Sequence, residues 1–123
     1  MKAREIAPAD WARFFAQFTR LHSGAIITMG VSGDLTGTRD AVVGQPLRGI
    51  SEDGADVLIH VGIGTHRSTD HLGHRIAHVR RIRLRQTSEG ADAALDLEAA
   101  DGTKTTLRFR SPMLPELLES AVE

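Results

Sequence analysis

Apolar and polar positions along this chain follow two rhythms, and the switch between them marks its elements. Trp11, Phe14, Phe15, Phe18 and Leu21 recur at helical spacing, with Arg13, Gln17 and Arg20 left for the other face, which predicts an amphipathic helix. Pro8 suits its first turn, Asp10 its positive N-terminal end, and Gly24 a stop after the last stripe residue. The stripe holds the only Trp and three of the four Phe, so it is expected to build core rather than to face a partner or a membrane.

Beyond Ala25 the period shortens to two. Ile27, Met29 and Val31 alternate with Ile26, Thr28 and Gly30 as a strand. Residues 33–40 read as a turn-rich loop, and residues 41–50, broken by Gly44, Pro46 and Gly49, as an irregular or edge strand. Asp53-Gly54 signals a hairpin into a strand with Val57, Ile59 and Val61 on one face and Asp56, Leu58 and His60 on the other. The polar, glycine-containing stretch 62–70 reads as a loop before a strand from His71 to Ala77.

Three further runs, 79–86, 92–99 and 103–110, form a ladder whose core face carries Ile82 and Leu84, then Ala93, Leu95 and Leu97, then Thr105, Leu107 and Phe109. A three-residue loop at Ala100, Asp101 and Gly102 sets Leu97 opposite Thr105 and Leu95 opposite Leu107, whereas a two-residue turn would face Leu97 with Thr106. Leu84 opposite Leu95 and Ile82 opposite Leu97 complete the apolar side. The outer side then pairs Arg81 with Glu98, Arg83 with Asp96, Glu98 with Lys104 and Asp92 with Arg110, while Arg85 and Arg108 flank Ala94. A short final helix is expected from Ser111 and Pro112, turning Met113, Leu114, Leu117 and Leu118 inward.

The expected fold is α+β, one domain over residues 1–123. It has an N-terminal amphipathic helix, about seven antiparallel strands paired in sequence order as a meander forming a curved sheet or partly open barrel, and a short C-terminal helix.

Composition narrows the function classes. The chain is 41% hydrophobic and 25% charged, near the average for a folded domain. Fifteen basic against sixteen acidic residues leave a net charge of -1, so no global field draws it to nucleic acid or an anionic membrane. Without cysteine there is no disulfide and no thiolate chemistry, which fits a reducing compartment. The N-terminal segment scatters its charges with no apolar signal region, and no window reaches the ~18 apolar residues of a spanning helix. A cytoplasmic location with no membrane partner is expected.

Motifs add little. No Gly-Lys-Ser/Thr phosphate loop, dinucleotide-binding unit or Gly-x-Ser-x-Gly elbow occurs. His71, His74 and His78 would share a face only on a helix; on a strand His71 and His74 diverge, so neither metal nor cofactor is expected. The ligand-contact region is placed at His60, His66, Arg67, His71 and His74, around the polar loop. Arg85 and Arg108, with no acid directly opposite, are placed as an anion contact.

The segment Glu89-Gly90-Ala91-Asp92-Ala93-Ala94-Leu95, with Phe109-Arg110-Ser111-Pro112-Met113-Leu114-Pro115-Glu116 further on, resembles the signature of a family of bacterial proteins classed as a domain of unknown function. Glu5-Ile6 followed by Trp11 and Phe14-Phe15 is similar too, so the resemblance spans nearly the whole chain. It implies no activity, cofactor or catalytic residue. The expected function is a non-catalytic small binding or interaction module, with a homodimer as its expected assembly. The alternatives are a histidine-dependent metal-binding protein or hydrolase using His71, His74 and His78, and a weak nucleic-acid binder using Arg80, Arg83, Arg85 and Arg108.

Overall fold

The computed structural model describes residues 2–33, 37–62 and 71–113, with Thr38, His71, Pro112 and Met113 described through their backbone alone. The chain runs β1 (Lys2–Ile6), a 3-10 turn (Pro8–Asp10), α1 (Trp11–His22), β2 (Ile26–Gly33), β3 (Gly37–Asp53), β4 (Asp56–Gly62), β5 (His71–Ile76), β6 (Val79–Gln86), β7 (Asp92–Ala99) and β8 (Lys104–Met113). All eight strands join one open antiparallel sheet in the order β1-β6-β7-β8-β2-β3-β4-β5. No helix among the described residues is long and apolar enough to cross a membrane.

Helix α1 forms where the stripe predicts it. Its buried line is Trp11, Phe15, Phe18 and His22, with Phe14 and Leu21 half-buried beside it. Pro8 opens the 3-10 turn that leads into it, and Gly24 follows with φ +91°, a backbone state costly for any side chain. The helix lies on β3. Gly49 permits the approach, since a Cβ there would stand 3.1 Å from Thr19 Cγ2. Thr19 Oγ1 accepts from Ile50 N at 2.9 Å and donates to Ile50 O at 3.2 Å. These backbone groups point away from β4, on the side where β3 has already left β2, because β2 pairs only with residues 37–46 and β4 only with residues 47–53. One hydroxyl stands in for an absent neighbouring strand.

The ladder register holds almost throughout. Leu84 faces Leu95, Ile82 faces Leu97, Leu95 faces Leu107, Leu97 faces Thr105, and Gly102 turns with φ +90°. Ile82, Leu95, Leu97 and Leu107 are fully buried together with Ile27, Met29, Leu47 and Ile59. The register fails at one point. Asp92 sits opposite Gln86 on β6 and Met113 on β8 rather than opposite Arg110, because a bulge intervenes between it and Ala94. The extra residue reverses the inside-outside parity at the strand's start, so Asp92 is buried on the core side with Leu95, Ala93 is only half-buried, and Ala94 keeps its outer register between Arg85 and Arg108.

Four expectations need correction. The fold is mostly β rather than α+β. Among the described residues there are eight strands, against the expected seven or so, since Lys2–Ile6 adds an edge strand beside β6. The meander in sequence order holds within β2 to β5 and within β6 to β8, but β8 closes onto β2 and β1 onto β6. Ser111 and Pro112 do not start a helix: β8 runs on to Met113, consistent with the bias of a residue before proline toward extended backbone. Leu114, Leu117 and Leu118 lie outside the described residues. In addition, the interrupted segment 41–50 belongs to a 17-residue central strand, with Pro46 and the bulge after Leu47 falling where β3 passes from β2 to β4.

Candidate functional site

The parity reversal at the start of β7 creates the most distinctive polar feature of the core. Asp92, 4% exposed, receives a hydrogen bond from His22 Nε2 to Oδ2 at 2.8 Å, and His22 itself is 3% exposed. Gln86 Nε2 donates to the other carboxylate oxygen, also at 2.8 Å, and lies 3.3 Å from Gly90 O. Both oxygens of the buried carboxylate are therefore satisfied, which burial of a charge requires. The His22 ring is held between Phe18 and Phe109, with centroid separations of 4.6 and 4.5 Å. Its place at the last turn of α1, where carbonyls leave a partial negative charge, suits an imidazole.

This network forms one end of a pocket of about 120 Å³ between α1 and the sheet. Phe14, Phe18, Leu21 and Leu84 make apolar walls; Arg4, Gln17, Gln86 and Asp92 supply the polar groups. Arg4 arrives from the edge strand β1, opposite Leu84 in register. Among the described residues no lining side chain carries a hydroxyl or thiol. Sequence reasoning missed the site, although His22 continues the stripe Trp11, Phe15, Phe18 at the next helical position.

Of the histidines singled out from the sequence, His60, His74 and His78 are described with their side chains, and these three lie apart. His60 on β4 faces Gly73 on β5, with Nδ1 3.6 Å from where a Gly73 Cβ would stand. His74 faces Ile59 and so takes the opposite side of the sheet. Burial pushes the His74 imidazole below its usual value. His78 occupies the exposed corner between β5 and β6 with φ +53°, its N–H donating to Asp56 Oδ1 at 3.0 Å. That bond, together with Arg75, holds the Asp56 carboxyl below the ordinary range. The His71 backbone pairs with Gly62, while His66 and Arg67 lie outside the described residues. Among the described residues no three histidine or acidic side chains come together in a way that could hold a metal ion.

The two arginines set aside as an anion contact do share a location. On the outer face, Gly30 leaves a hollow of about 230 Å³ edged by Arg85, Lys104 and Arg108, with Ser32, Asp40 and Thr106 also lining it. Arg85 reaches diagonally to Asp96, with Nε 2.9 Å from Oδ2 and an Nη2 hydrogen bond of 3.1 Å to Oδ1. Asp96 thus serves Arg85 rather than Arg83 directly opposite it. Arg108 lies 3.4 Å from Asp40.

Among known families, the model described as a family of unknown function, DUF5335, matches residues 2–117. Neither the curated proteins nor the solved structures contain a match.

Proposed function

We propose that the chain, which belongs to the DUF5335 family, is a non-catalytic binding module whose ligand enters the pocket between α1 and the β1, β6 and β7 strands. The observation that carries this reading is the convergence of Arg4, Gln17, Gln86 and Asp92 on a cleft otherwise walled by Phe14, Phe18, Leu21 and Leu84. A few directed polar groups in an apolar concavity are the general form of a small-molecule site. At about 120 Å³ the space suits a ring-sized ligand, since apolar cavities of about 150 Å³ take up benzene. Arg4 favours a carboxylate or carbonyl on that ring. The non-catalytic reading is supported by an imidazole that is buried and engaged with Asp92, and by an Asp92 carboxylate whose two oxygens are both taken by protein donors.

A fragment screen by ligand-observed NMR, using benzoate and uncharged ring compounds of the same size, tests the proposal. Benzoate is expected to bind saturably and to lose affinity in Arg4→Gln, and every ring ligand to be excluded by Leu21→Trp. A screen without a hit sensitive to Leu21→Trp overturns it.

A further inference from the structure

We infer that the outer face of the sheet carries a second, independent site, the hollow over Gly30, which takes a tetrahedral oxyanion of the phosphate class. The hollow exists because of one missing side chain. Gly30 lies between outward-facing Thr28 and Ser32 on β2 and is flanked in register by Thr106 on β8 and Asp40 on β3. The neighbouring strands therefore raise walls around a floor of bare backbone.

The walls are unevenly neutralised. Lys104 faces Glu98 across the β7–β8 pair yet makes no ion pair among the described residues. Arg85 is engaged by Asp96 through Nε, 2.9 Å from Oδ2, and Nη2, 3.1 Å from Oδ1, and its side chain remains about a third exposed at the hollow. Thr106 donates its hydroxyl to Asp96 at 2.8 Å and so fixes that carboxylate on the Arg85 side. Three cations thus edge one concavity with Asp40 as the acid that lines it.

Asp40 competes for the cations of the hollow. Its carboxylate is half exposed and lies 3.4 Å from Arg108, a long contact for an ion pair. It occupies part of the position an incoming oxyanion would take, as an internal competitor that a dianion with more acceptor oxygens displaces. A phosphate in the hollow would accept from Arg108, Lys104 and the Arg85 guanidinium. Among the described residues no aromatic side chain lines the hollow, which argues against stacked single-stranded nucleic acid.

Amide chemical shifts followed during titration with inorganic phosphate and, separately, with phenyl phosphate test the inference at constant ionic strength. Saturable shifts are expected at Gly30, Ser32 and Thr106, and the tighter of the two ligands tells whether the free ion or an ester is preferred. Lys104→Gln is expected to weaken binding roughly tenfold, Asp40→Asn to tighten it, and Gly30→Ala to weaken it in a folded protein. The added methyl would meet Asp40 Oδ1 at 3.4 Å, an ordinary contact. Equal shifts with sodium chloride, shifts that do not saturate, or affinities unchanged by Lys104→Gln would overturn the inference. So would preferential, salt-sensitive binding of an oligonucleotide over both phosphates.

Discussion

Asp92 and His22 meet because of one inserted residue. In a regular strand the alternation that buries Leu95 and Leu97 would have sent Asp92 outward to a neighbouring arginine, and the sequence reads that way without contradiction. A bulge leaves almost no trace in a run such as Asp92-Ala93-Ala94, where two alanines tolerate either face. The helical half of the pair was more legible, since a histidine on a stripe of aromatic residues must find a polar partner inside. Truncating Asp92 would strip that partner from both His22 and Gln86. Asp92→Ala is therefore expected to cost about 3 kcal/mol in urea-induced unfolding. A loss under ~0.5 kcal/mol, the range of ordinary surface substitutions, would show that the network is dispensable.

Among the elements, those whose two faces differ sharply in polarity were legible. The alternation of β6, β7 and β8 determines which residues face each other, because a slip by one position would expose every leucine. Edge strand β1 offers no such contrast. Four of its five side chains are exposed and only Ile6 is buried, so Lys2-Ala3-Arg4-Glu5 carries no hydrophobic period. The long course of β3 was hidden for a different reason: glycine and proline usually end strands, but here they coincide with a change of partner. Thr19 depends on that change, since its hydroxyl satisfies Ile50 on both sides. Replacing it by valine keeps shape but removes both hydrogen bonds, and Thr19→Val is expected to lower stability by about 1–2 kcal/mol in thermal unfolding. The loss should be largely absent from Thr19→Ser.

At the scale of the whole molecule, order in space departs from order along the chain. Lys2 pairs with Gln86 and Ile27 with Phe109, contacts that no local pattern announces. The near-neutral charge likewise conceals local asymmetry, such as the three cations around Gly30. The pH response of stability has a definite sign at His74. Its depressed imidazole value means that the unfolded chain binds the proton more readily. The associated stability is complete above the ordinary value of 6.5 and is lost as pH falls through that value toward the folded one. His74→Gln should flatten the slope of unfolding free energy over that interval, measured by denaturant titration at successive pH values. An unchanged slope would assign the pH dependence to other groups.

Where β3 leaves β2, its Ile50 amide and carbonyl would be a place for a foreign strand to add, and the Thr19 hydroxyl occupies that place. Exposed strand edges are the common starting point of edge-to-edge assembly. The helix therefore does more than cover a core. By holding one backbone position closed with a side chain, it takes the Ile50 amide and carbonyl out of reach of a strand from a second molecule.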